Sequence, residues 1–304
     1  MPTRPTWNAL PAPAKHWVAA QLGSDITAVE PAGGGLTNGI AAVLSAGSGR
    51  RAFLKAVAAD QPTAGLYERE RHAAAALPAS APAPRLLGHT AADDWVLLLF
   101  DVAGSRHANL APGSPDLPVV LATLATLRET LTPCPWEAAP DARTDLGDLH
   151  GWRVLGDADE LNPWAQRHLD RLIESEVHVL EAIGGSTLLH TDLRADNLLI
   201  DGQGAAQVVD WSWAVQGADW LEPAFLLPQL ILAGHHPGAA QNLLQALPAW
   251  QNAEPRTLTA FAIALTGLWE RGARNPNSPE DLRSYRARAA VAGCSWIQHR
   301  TGWL

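Results

Sequence analysis

Residues 188–213, reading LLHTDLRADNLLIDGQGAAQVVDWSW, constrain this chain more than any other stretch. Two short apolar runs, 198–200 and 207–209, flank the polar turn Asp201-Gly202-Gln203-Gly204, which is the pattern of a β-hairpin. Such a hairpin pins Asn197 and Asp210 at one end, close in space. Asp192 precedes Asn197 by five residues, and Asp210 closes the second run. A phosphoryl-transfer site asks for these residue types in this order. One Asp takes the proton of the acceptor hydroxyl, while an Asn and a second Asp offer hard oxygen donors to Mg²⁺, which binds few protein ligands and keeps waters. Read alone, the same stretch is also compatible with a hairpin whose polar ends merely cap turns.

The run His190-Thr191-Asp192-Leu193-Arg194-Ala195-Asp196-Asn197 followed by Val208-Val209-Asp210-Trp211 resembles the aminoglycoside phosphotransferase family, the small-molecule branch of the protein-kinase-like fold. It is also similar to the catalytic loop of protein kinases. Thr191 stands where those enzymes carry Arg, however, and Trp211-Ser212 where they carry Phe-Gly. The resemblance implies an α+β, two-lobed protein-kinase-like fold: a small antiparallel sheet with one main helix over residues 1–100, and a larger, mostly helical lobe over 101–304. A hinge is expected near 100–104, where the backbone of Asp101 and Ala103 would meet the nucleobase edge.

Composition narrows the partners. With 47% hydrophobic and 17% charged residues in 304, the chain is an ordinary globular protein. Its net charge of -9 argues against a nucleic-acid partner, and its apolar runs are too short to span a bilayer, so no membrane partner and a cytoplasmic location are expected. Two cysteines, Cys134 and Cys294, stand in no metal-ligand spacing. Of 22 basic residues only Lys15 and Lys55 are lysines. A lysine inside a strand of such a chain suggests that a compact ammonium is needed there.

Taken in order, a helix is expected over 7–22 and strands over 26–30 and 40–44. The turn between those strands holds Gly34, Gly35, Thr37 and Asn38. A glycine-rich turn lets backbone N–H groups approach a phosphate, although the glycines alone mark only a turn. Alternation in a third strand, 51–57, puts Phe53, Lys55 and Val57 on one face. Helical spacing over 63–77 leaves Glu70 on an otherwise apolar stripe, where its charge needs a partner, and the kinase pattern that the chain resembles supplies one in a strand lysine, Lys55. Two more strands are expected over 85–89 and 94–102. Helices then follow over 117–131, 163–183, 219–233, 238–247, 255–271 and 279–299. Between the first two, residues 137–160 are acidic: a solvated loop, or one wall of a site for a cationic acceptor. The segment after Asp210 is too short for a protein-kinase activation segment.

These readings combine into one expectation. ATP (or GTP) is held through Gly34, Gly35, Thr37, Asn38, Lys55, Glu70, Asp101 and Ala103, with Mg²⁺ on Asn197 and Asp210. Asp192 takes the proton of the hydroxyl of a small-molecule acceptor, for which the acidic insert favours a cation, and Arg194 contacts the γ-phosphate or that acceptor. Candidate acceptors are an aminoglycoside or other antibiotic, which would confer resistance, or a metabolite such as an amino alcohol or sugar. A non-catalytic nucleotide-binding module is the alternative from another class. The sequence leaves open the oligomeric state and whether Asp219 or Glu222 supports the catalytic loop.

Overall fold

The computed structural model describes residues 5–33, 38–156 and 161–303. In chain order it runs α1 (Ala12–Leu22), β1 (Ile26–Pro31), β2 (Ile40–Ala46), β3 (Arg51–Ala58), α2 (Ala64–Ala76), β4 (Leu86–Ala92), β5 (Trp95–Phe100) and β6 (Arg106–His107). Helices α3 (Asp116–Thr130), α4 (Ala142–Asp145), α5 (Gly151–Leu155), α6 (Pro163–Arg167), α7 (Leu169–Glu176) and α8 (Val179–Ala182) follow. Next come the strands β7 (Thr187–Leu189), β8 (Leu198–Ile200), β9 (Ala206–Val208) and β10 (Val215–Gly217). Helices α9 (Leu221–Leu232), α10 (Pro237–Leu244), α11 (Pro248–Asn252), α12 (Pro255–Ala273) and α13 (Glu280–Thr301) end the chain. No helix among the described residues is long and apolar enough to cross a membrane.

Two compact units result, one of residues 1–108 and 196–214, the other of 109–195 and 215–304. In the first, β1 to β5 form an antiparallel sheet in the order β1-β2-β3-β5-β4. Side-chain alternation decides what covers each face. Ala52, Leu54 and Ala56 of β3 and Leu97 and Leu99 of β5 pack with Ala14, Val18 and Leu22 of α1. On the other face, Val57, Val96, Leu98 and Phe100 meet Tyr67 and Ala74 of α2. Helix α1 stops where Gly23 takes φ 79, a left-handed cap that glycine adopts without Cβ strain.

The first unit reaches further than the expected break at residue 100. Strand β6 pairs with β8, and β8 with β9, in a three-stranded sheet. Ser105 and Ala108 donate backbone hydrogen bonds to Ile200 and Leu198. A Cβ on Gly104 would lie 2.5 Å from the carbonyl of Ile200, so only glycine allows this approach. The hairpin containing Asn197 and Asp210 is thereby tied to the first unit. A two-residue strand such as β6 carries no periodicity, so the sequence offers no sign of this pairing.

In the second unit, β7 pairs antiparallel with β10, and α12 and α13 pack along one another. Residues 163–183, expected as one helix, are instead α6, α7 and α8. His168 leaves helical geometry at φ -108, ψ 11, and the apolar spacing continues across the break, so periodicity alone reads through it. Glu176 at the end of α7 is fully buried, and its carboxylate accepts the N–H groups of Trp152 and Arg153 at 3.0 and 2.9 Å, which caps α5. The 137–160 stretch is not wholly loop, since it includes α4 and α5.

Candidate active site

In the first unit the sheet, α2 and the β8–β9 hairpin surround a cleft of about 300 Å³. Lys55 sits at its centre because β3 alternation points it away from the α1 face. Its Nζ lies 2.5 Å from Glu70 Oε2 and 2.8 Å from Asp210 Oδ1. It also stands 5.4 Å from the centre of the Tyr67 ring. Tyr67 and Glu70 are one helical turn apart on α2 and both 2% exposed, so the apolar stripe of this helix delivers one carboxylate and one aromatic face to the lysine.

Burial disfavours the charged form of Lys55, but the carboxylates of Glu70 and Asp210 outweigh it and hold the pKa above that of an ordinary lysine. Burial pushes Glu70 up to about 7 against the opposing pull of Lys55. Lysine therefore stays cationic between two carboxylates, a fixed positive charge in a low-dielectric cleft.

The hairpin register explains the other donors. Leu198 pairs with Val208, and Val209 donates to the carbonyl of Asn197 at 3.0 Å, so Asn197 and Asp210 emerge at the same end. Both line the cleft. Asp210 has φ 67, a left-handed conformation uncommon outside glycine, and Ser212 Oγ donates to its Oδ1 at 2.8 Å. An amide and a carboxylate on one wall are hard oxygen donors that fit Mg²⁺ with waters completing the shell. Among the described residues no three His, Cys, Asp or Glu side chains gather to hold a metal by themselves.

Asp101 and Ala103 line the same cleft. Asp101 donates its N–H to the carbonyl of Arg85 and pairs its carboxylate with Arg85 Nε at 2.7 Å. Gly34, Gly35 and Thr37 lie outside the described residues, while Asn38 is exposed. Neighbouring Gly39 lines the cleft, and a Cβ there would overlap the Tyr67 hydroxyl.

The loop of residues 190–195 is built within the second unit. Thr191 takes φ 62, a costly conformation for a β-branched residue, and something must hold it. Glu222, on the first turn of α9, does so: its carboxylate accepts the N–H groups of His190 at 3.0 Å and Thr191 at 2.9 Å. Burial raises Glu222 to about 7 in spite of those two hydrogen bonds. His190 is fully buried, and its Nδ1 accepts the N–H of Asp192 at 3.2 Å. Asp219, the other candidate support, is paired instead with Arg128 Nε at 2.5 Å.

Arg194 Nη1 lies 3.5 Å from Asp192 Oδ2, and its guanidinium is 5.5 Å from the centre of the Tyr285 ring. Gln229 donates to the Tyr285 hydroxyl at 2.9 Å. Sequence reasoning missed Tyr67, Ser212 and Tyr285. Only Tyr67 had a local signal, its place one turn before Glu70.

No family model matches the chain, and no curated protein matches it in sequence. Solved structures do match in fold. The aminoglycoside phosphotransferase APH(4)-Ia aligns at 16% identity and TM-score 0.62, over 93% of this chain and 98% of its own. Spectinomycin phosphotransferase APH(9)-Ia, solved with ADP and spectinomycin, gives 12% and 0.63 over 94% and 98%. The choline kinase LicA from Streptococcus pneumoniae gives 14% and 0.63 over 93% and 98%. The chain thus has the α+β, protein-kinase-like fold of aminoglycoside phosphotransferases and small-molecule kinases.

Proposed function

We propose that this chain is a Mg²⁺-dependent phosphotransferase that moves the γ-phosphoryl group of ATP, or of GTP, to a hydroxyl of a small molecule. The observation that carries the reading is the placement of Lys55 between Glu70 and Asp210 in a cleft that Asn197 also lines. A buried ammonium held by two carboxylates has little use in a merely structural core, where desolvation offsets much of the pairing. Against nucleotide phosphates it is a preorganised counter-charge.

The first unit is the nucleotide side of this reading. Lys55 holds the α- and β-phosphates, and Glu70 keeps Lys55 in place. Asp101, whose N–H is engaged with Arg85, would meet the base through its carbonyl, with the backbone of Ala103 beside it. The phosphate contacts expected of Gly34, Gly35, Thr37 and Asn38 rest on the sequence alone. Asn197 and Asp210 would hold Mg²⁺, which when bound neutralises charge on the β- and γ-phosphates.

The acceptor side is assigned to Asp192 and Arg194. Asp192 orients the hydroxyl and takes its proton as the new oxygen–phosphorus bond forms and the β–γ bridging bond breaks, its electron pair leaving with ADP. Arg194 contacts the transferring phosphoryl group or the acceptor. Glu222 fixes the backbone that presents Asp192. The fold neighbours are named for an aminoglycoside, spectinomycin and choline, a sugar is kept as a further acceptor class, and use of ATP is the reason for proposing a cytoplasmic location. Titration of Mg-ATP against the full chain tests the nucleotide half. Asp210→Asn should weaken binding about tenfold or more in Mg²⁺ and little in EDTA, and equal affinity in wild type and variant would remove Asp210 from the metal site.

A further inference from the structure

The acidic stretch 137–160 suggests a cationic acceptor only if its carboxylates are available to one. One of them is tightly engaged and another only loosely. Asp141 is held by Arg143 Nε and Nη2 at 2.9 and 2.7 Å, and Asp148 lies 3.6 Å from Arg271 Nη2.

The arginines of α13 and the end of α12 present the opposite character. Arg286 follows Tyr285 on α13, and its side chain lies against Gly272, where an added Cβ would be 2.7 Å from Arg286 Cδ. Its guanidinium donates to Ser278 Oγ at 3.3 Å, a neutral partner, and burial together with the neighbouring positive charge of Arg271 disfavours its protonated form. Arg271 meets Asp148 only at long range, and that carboxylate is 80% exposed. Arg283, one turn before Arg286, has a buried Nε with no hydrogen-bond partner. Tyr285 itself touches Arg194 of the catalytic loop.

Half-buried like charges with only one exposed, loosely held carboxylate beside them are costly, and a bound anion relieves that cost. We propose that Arg271, Arg283 and Arg286 form an anion subsite beside Tyr285, and that the hydroxyl acceptor carries a carboxylate or phosphate group bound there. The word acceptor rests on the phosphotransferase reading; the subsite does not.

Calorimetric titration of the full chain with glycerol 3-phosphate, glycerate, glycerol and choline tests this, the first two separating a phosphate from a carboxylate. One of the two anions should bind, and glycerol and choline should not. Arg286→Gln should weaken that binding about tenfold or more, as should Arg271→Gln, which stands in if the first variant does not fold. The exposed Arg288→Gln should leave it unchanged. If neither anion binds, or if binding is indifferent to both substitutions, the subsite is overturned. Anion binding without ATP-dependent phosphorylation counts against the phosphotransferase reading alone, whereas phosphorylation of choline with no anion bound counts against the subsite alone.

Discussion

At the scale of single residues, two buried glutamates act in different ways. Glu70 holds a cation, whereas Glu222 holds only backbone N–H groups and has no cation to offset its desolvation. The folded chain therefore binds a proton at Glu222 more tightly than the unfolded chain does, since burial raises it from 4.5 to about 7. Between those values the folded state holds more protons than the unfolded one, so this group's contribution to stability falls as pH rises through the window. Comparing urea unfolding of wild type and Glu222→Gln across that window isolates the contribution. The wild type should lose up to about 3 kcal/mol relative to the variant as pH rises, and parallel pH profiles would show that Glu222 is not the titrating group. The variant should also turn over more slowly, because the amide NH2 would face one of the two backbone N–H groups that separate carboxylate oxygens now accept.

At the scale of elements, alternation in β3 does two jobs at once. One face carries Leu54 against α1, and the other carries Lys55 into the cleft. Leu54→Ala should cost about 2–5 kcal/mol by opening a cavity in that core. Denaturant unfolding would read the loss, and a change below about 1 kcal/mol would mean that the sheet and α1 collapse freely around the gap. The elements legible in the sequence were those with strong periodicity: β3, the β8–β9 hairpin, α2 and the long helices α12 and α13. The pairing of Lys55 with Glu70 was legible too, because an apolar helical stripe leaves a lone carboxylate needing a cation and the resemblance to kinases points to a strand lysine. What escaped was set by tertiary contact. The break at His168 interrupts no hydrophobic pattern. The attachment of the hairpin to the first unit depends on β6, and the choice of Glu222 over Asp219 depends on where α9 begins. The Arg283 and Arg286 cluster is scattered among other arginines in the sequence and becomes visible only on the folded helix.

At the scale of the whole molecule, the order of parts along the chain matches the solved phosphotransferases over more than nine-tenths of its length. With identities of 12 to 16%, that match is one of fold, and the chemistry must be argued from side chains. The net charge of -9 describes the molecule's average and not its local fields. Asp141 is taken up by Arg143, and Arg286 beside Tyr285 has only a neutral partner, so the formal charge is a poor guide to the acceptor. The central claim is phosphoryl transfer, and it is tested most directly by incubating the full chain with Mg-ATP and a panel of hydroxylated anions, sugars, amino alcohols and aminoglycosides, with mass spectrometry as the readout. A gain of one phosphoryl group on an acceptor, absent with Asp192→Asn although that variant still binds Mg-ATP, is the predicted result. Transfer undiminished in Asp192→Asn, or a wild-type chain that binds no nucleotide, would contradict it.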